Sequence, residues 1–171
     1  KCMESELYRN DLVEFASLWF AEVADRHYEK ALEAESQAIA EKELEKAVAI
    51  LHNVDRLLAS HPGCPPGRWV DLARRSAGSD SAENIATADR YEANAKRLIS
   101  TWGGWQEDYA ARFWAGMIES YYIPRMEIYF SSGKEALDLW EEEWINTPYT
   151  NAEKAFENPL QSVRELLDSI E

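Results

Sequence analysis

Apolar positions recur along most of this chain at the three- and four-residue spacing of an amphipathic helix. Nowhere is there a sustained period of two, the mark of a half-buried strand. Residues 5 to 33 read as one long helix, with Leu7, Leu12, Phe15, Leu18, Trp19 and Val23 along one broad side. Asp11 and Glu22 share that side. Asp11 is either an early-helix anion favoured by the helix dipole or a partner for an Arg on a neighbouring helix. A second helix runs from about Ser36 to Ser60 on Ile39, Leu44, Val48, Leu51, Val54 and Leu58. Its charged residues 41–46 form a solvated outer face, on which Glu43 and Lys46 attract at i,i+3.

The clearest break is HPGCPPG, residues 61–67, whose prolines and glycines fit neither helix nor central strand. A short helix follows, with Trp69, Leu72 and Ala73 inward. After the loop 76–84, in which Ser81 with Asn84 or Asp80 with Glu83 can cap, a helix carries Ile85, Tyr91, Ala95, Leu98, Ile99 and Trp102. Gly103-Gly104 then supplies a tight turn, and Asp108 caps a helix on Tyr109, Phe113, Met117 and Tyr121. Pro124 should kink or break that helix near Tyr121. A further helix runs toward Trp144 on Ile128, Leu137, Leu139 and Trp140, and Ser131-Ser132-Gly133 is the place where it can be interrupted. NTPYTN, residues 146–151, is a linker. Asn158-Pro159 opens a last helix on Leu160, Val163, Leu166, Leu167 and Ile170. The expected fold is an all-α bundle of about five to seven helices with short loops, one domain over residues 1–171.

Composition narrows the chemistry. A formal charge of −14 disfavours nucleic acid and anionic membrane surfaces, which need clustered Lys and Arg. No run approaches the length of a membrane helix, and no basic-plus-apolar leader precedes the first helix. Cys2 and Cys64 read as two thiols rather than a disulfide. The absence of an Asn-x-Ser/Thr acceptor leans toward a bacterial origin. His27, His52 and His61 lack zinc spacing, and no Glu-x-x-His pair, GxSxG or phosphate loop is present, so neither metal nor cofactor is expected. His52 and Asp55, three apart, read as a chance surface pair.

The stretch 95–130 gathers Trp102, Trp105, Trp114, Tyr109, Tyr121 and Tyr122 around one glycine turn, ahead of Arg125. An aromatic cluster edged by Asp and Arg suits a pocket wall, and it equally suits a helix–helix core. Trp102-Gly103, Asp108-Tyr109-Ala110, Trp114-Ala115-Gly116 and Tyr121-Tyr122-Ile123-Pro124-Arg125, in this order, resemble the C-terminal helical domain of α-N-acetylglucosaminidases, glycoside hydrolase family eighty-nine. YRNDLVEFA (Tyr8 to Ala16) and GRWVDLARR (Gly67 to Arg75) resemble segments of the same domain. Gly104 and Met126 depart from residues that some members carry.

The resemblance implies a retaining glycosidase whose two catalytic glutamates sit in a preceding (β/α)8 barrel of roughly 250 residues, too large for this chain to contain. No catalytic residue is expected here, and the chain alone should be inactive. The implied partners are that barrel and a glycan ending in α-linked N-acetylglucosamine. Export from a bacterium, or a lysosomal location in a eukaryote, would follow. Trp102, Trp105, Asp108 and Tyr109 are the implied pocket or interface residues; Asp11, Tyr121, Pro124 and Arg125 are the implied structural support, Asp11 and Arg125 as an ion pair. The alternative is a freestanding helical domain that binds a protein through exposed aromatics.

Overall fold

A computed structural model of the chain describes residues 5–64, 67–78, 81–100, 113–149 and 154–170, apart from the side chains of Trp69 and Ile99. Six α-helices and no strand occur among the described residues: α1 (Glu6–Glu33), α2 (Gln37–Ala59), α3 (Arg68–Arg75), α4 (Ala82–Ser100), α5 (Ile123–Asn146) and α6 (Pro159–Ile170). A π-helical turn, Ile118–Tyr122, leads directly into α5. The all-α expectation is borne out. Contacts group the chain into two compact units, residues 1–66 with 114–119 and 152–171, and residues 67–113 with 120–151.

In the first unit α1 and α2 pack as a hairpin across the short link 34–36, and α6 lies against α1. The inward side of α1 is Val13, Ser17, Phe20, Ala24 and Ala31. This corrects the expected stripe: Leu7, Phe15, Leu18 and Trp19 are exposed. Small residues let α1 approach the Ala40, Ala47, Leu51 and Val54 side of α2 closely, so the bulkier side is the one turned out. Ile39, expected inward on α2, is likewise exposed. Asn158 Oδ1 accepts the Gln161 N–H at 3.3 Å with Pro159 in the first position, the expected cap of α6. The segment before α6 is tied to the end of α2: Ser60 Oγ accepts the Phe156 N–H at 3.0 Å, and the Arg56 guanidinium sits 4.0 Å from the Phe156 ring centroid.

In the second unit α3 starts at Gly67, whose φ of +68° lies in the left-handed region. Val70 is buried and Leu72, expected inward, is exposed. Ser81 Oγ accepts the Asn84 N–H at 3.2 Å and caps α4. On α4 the expected inward residues Ile85, Tyr91 and Leu98 are exposed, and Ala88, Glu92, Lys96 and Ser100, one turn apart, are buried instead. Their charges are neutralised inside the unit. α5 is interrupted at Gly133 (φ +76°), as the sequence suggested, and buries Leu137, Glu141, Trp144 and Ile145, while Leu139 is exposed. No helix among the described residues is long and apolar enough to cross a membrane.

Candidate functional site

Trp102, Trp105, Asp108 and Tyr109, with the Gly103-Gly104 turn and the Asp108 cap, lie outside the described residues, as does Cys2. The motif residues that follow them are described. The helix expected to continue through Phe113 and Met117 does not: Phe113 to Gly116 are non-helical. Gly116 has a φ of +78°, and the Met117 N–H donates to the Trp114 carbonyl at 3.1 Å, which closes a turn only glycine adopts readily at that position.

In the first unit this turn is held from α2. Asp55 is fully buried, and its Oδ1 accepts the Gly116 N–H at 2.8 Å. A helix start leaves backbone N–H groups without helical partners, and Gly116 has no side chain to take them. Asp55 takes that capping role from another helix. Burial pushes its carboxyl up to about 6, against the N–H groups of Gly116, Glu119 and Ile118, which pull it down. One turn earlier on α2, His52 Nδ1 approaches Glu119 Oε2 to 2.5 Å. His52 and Asp55, read from sequence as a chance surface pair, thus grip one short segment together. Asp55 is sealed from solvent, so it cannot exchange a proton with a sugar.

In the second unit, two residues of the Tyr-Tyr-Ile-Pro-Arg motif converge on one carboxylate oxygen. The buried Tyr121 hydroxyl donates to Glu141 Oε1 at 2.7 Å, and Arg125 Nε lies 3.0 Å from the same oxygen. Pro124 sits in the first turn of α5, where the missing N–H does no harm. The Tyr121 ring packs against Trp144 at 4.5 Å and stacks on Trp140 at 5.9 Å, centroid to centroid, with the Arg125 guanidinium 5.7 Å from its own centroid. Asp11, the expected partner of Arg125, is exposed on α1 in the other unit. Glu141 accepts from a phenol and pairs with a guanidinium through the same oxygen, which fixes its orientation.

A second polar cluster clamps the end of α5. The buried Lys96 Nζ donates to the Trp144 and Thr147 carbonyls and lies 3.3 Å from Glu92 Oε1. Glu92 also accepts the Tyr149 N–H at 2.6 Å and an Arg74 N–H at 2.6 Å. Desolvation lowers the Lys96 pKa, and Glu92 opposes the shift. Glu92 and Asp89 push the Arg74 pKa up. A cavity of about 290 Å³ opens here, lined by Arg74, Asp89, Arg90, Asn146 and Pro148 among others. Arg74 is already paired to two carboxylates, so the cavity offers an anion little.

Sequence reading missed Asp55, Glu92, Lys96 and Glu141, because each is a charged residue on a face taken for solvent. Glu92 and Lys96 carried a signal in their i,i+4 spacing. Among the described residues no group of three His, Cys, Asp or Glu could hold a metal ion.

A family model of the α-N-acetylglucosaminidase (NAGLU) C-terminal domain matches residues 1–169. Human α-N-acetylglucosaminidase is 30% identical over 138 residues, which cover 75% of this chain and 17% of that protein. A family 89 glycoside hydrolase from Clostridium perfringens, in complex with PUGNAc, is 22% identical, with a TM-score of 0.65 over 95% of this chain and 20% of its own. CpGH89 from the same organism, in complex with its substrate GlcNAc-α-1,4-galactose, is 21% identical, with a TM-score of 0.60 over 94% and 20%. The two solved structures show that the helical fold is shared. The chain spans about a fifth of the length of these relatives. With nearly every residue covered by the family match, the chain belongs to the α-N-acetylglucosaminidase C-terminal domain family.

Proposed function

We propose that this chain is the helical flank of a retaining α-N-acetylglucosaminidase. It packs on a catalytic (β/α)8 barrel of the same polypeptide and completes the pocket for terminal α-linked N-acetylglucosamine. The observation that carries this reading is one of proportion: the family match fills the chain, and the chain is only 17–20% of its relatives. Glycoside hydrolysis needs two carboxyl groups flanking the scissile bond. The buried carboxylates described here, Asp55, Glu92 and Glu141, are engaged in capping, clamping and ion pairing. None of these three is free to act on a glycosidic bond, which supports assigning the acid and nucleophile to the barrel.

Trp102, Trp105 and Tyr109 supply aromatic faces on which the C–H face of a sugar packs, and Asp108 orients the loop or meets a hydroxyl. The acidic balance of the chain favours uncharged mucin-type glycans over heparan-type chains. The enzyme is exported from a bacterium, or lysosomal if the source is eukaryotic. A panel of chromogenic glycosides offered to the longer protein tests the assignment. Release from the α-N-acetylglucosaminide, and from neither its β-anomer nor the α-glucoside, is the expected result. No release from it would leave the reading of a freestanding protein-binding domain.

A further inference from the structure

α1 is an amphipathic helix with two apolar sides, and the first unit uses only one. At about 100° per residue, Val13, Ser17, Phe20, Ala24 and Ala31 fall on one side, and Leu7, Phe15, Leu18 and Trp19 fall roughly opposite. The inner side is closed against α2 and α6. On the outer side Leu7 and Phe15 are each 72% exposed, Leu18 56% and Trp19 48%. Scattered surface leucines need no explanation. Four large apolar residues within the first four turns of one helix, all on the side away from its own core, are more exposed apolar surface than scattered singles and mark an interface. Asp11, Glu22 and Asp25 are interleaved with them on the same side, while Glu14 lies 3.3 Å from the His61 ring just past the end of α2. Partial desolvation, and then the like charges of Glu22 and Glu29, push the Asp25 carboxyl up, while Glu22 is itself paired to Arg26 at 3.2 Å.

We propose that this outer side of α1 is the surface that seats against the catalytic domain, which meets it with an apolar patch rimmed by Lys or Arg. The proposal rests on the reading of the chain as a glycosidase flank and names where the contact is made. Two observations choose the occupant. Some four-fifths of the length of the relatives lies outside this chain, so a large body of the same polypeptide is available. A second copy is disfavoured, because a two-fold contact would set the same acidic side of a chain of charge −14 against itself.

The test uses thiol reactivity, with Cys2 and Cys64 replaced by Ser. Phe15→Cys and Leu18→Cys report on the outer side, and Glu41→Cys, exposed on α2, is the control. Both outer positions are exposed, so the fold should tolerate the changes. In the 171-residue chain all three thiols should react at similar rates. In the longer protein, positions 15 and 18 should slow by about tenfold or more while position 41 is unchanged. Equal rates at 15 and 41 in a longer protein that still hydrolyses an α-N-acetylglucosaminide would overturn the docking surface and leave the functional reading standing. Protection at 15 in the short chain that is lost on dilution would assign the surface to a second copy and overturn it too. Absence of hydrolysis is the separate failure of the functional reading.

Discussion

Asp55 and Gly116 stand sixty-one positions apart in the sequence and are joined in the first unit by a buried 2.8 Å hydrogen bond from the Gly116 amide to the Asp55 carboxylate. A side chain on α2 caps a helix start that glycine cannot cap for itself. Because burial raises the Asp55 pKa from 3.8 to about 6, the folded state binds a proton more tightly than the unfolded chain. The contribution of this group to stability is full below about pH 4 and is lost as pH rises through 6. Over that window wild type should lose about 3 kcal/mol relative to Asp55→Asn, whose side chain does not titrate. Urea unfolding of both proteins from pH 4 to 7 measures it. A constant difference across the range would mean that Asp55 is not desolvated.

Glu43 responds in the opposite sense. Hydrogen bonds from Lys46 and His27 hold its carboxyl down at about 2. Its stabilising effect is present above pH 4.5 and is lost as pH falls toward 2. Glu43→Gln should flatten the acid limb of a pH–stability curve and leave the limb above pH 5 unchanged in shape. An acid limb identical to wild type would remove Glu43 from the account.

Tyr121→Phe keeps the stacking on Trp140 and Trp144 and deletes only the 2.7 Å hydrogen bond to Glu141. The buried Glu141 then loses one donor while keeping Arg125, at a cost of about 1–3 kcal/mol. Thermal unfolding should show a lower Tm with the helical circular dichroism intact. An unchanged Tm would mean that Arg125 satisfies Glu141 unaided.

Lys96→Met should cost about 2–4 kcal/mol, since it leaves two carbonyls at the end of α5 without a donor and takes from the buried Glu92 one of its two cations, Arg74 being the other. Combining it with Glu92→Gln should cost less than the two single losses added together, because the Lys96–Glu92 pair is then removed whole. Strict additivity in a denaturant-based double-mutant cycle would argue against coupling within the clamp.

Gly67 and Gly133 share a left-handed φ, +68° and +76°, but differ in surroundings. A β-carbon at Gly67 would lie 2.5 Å from Tyr149 Cε1, whereas one at Gly133 would meet nothing within 4 Å. Gly133 also has a ψ of −173°, a region only glycine occupies readily, so Gly133→Ala should cost backbone strain alone, about 1–3 kcal/mol. Gly67→Ala should cost more, because the ring must also move. Equal losses in chemical denaturation would show that the Tyr149 ring yields freely.

The helices themselves were legible because spacing, caps and breakers agree: Ser81 before α4, Asn158-Pro159 before α6 and Gly133 within α5 all act where the sequence placed them. Which side of a helix turns inward was not legible. Leu7, Phe15 and Leu18 look more like core than Val13, Ser17 and Ala24 do, yet the smaller set is the buried one, since it permits closer packing of α1 on α2. On α4 the inward residues Glu92 and Lys96 are charged, and only knowledge of each other, Arg74 and the end of α5 makes their burial affordable. In the site, the motif named Tyr121, Pro124 and Arg125, but their common partner Glu141 lies twenty positions beyond Tyr121 and carried no signal of its own.

The most direct measurement compares hydrolysis of a chromogenic α-N-acetylglucosaminide by the 171-residue chain and by the longer protein that contains it, at equal molar concentration. The longer protein should turn the substrate over, and the short chain should release nothing above the uncatalysed rate. Turnover by the short chain alone would place the acid and nucleophile among these helices and contradict the account.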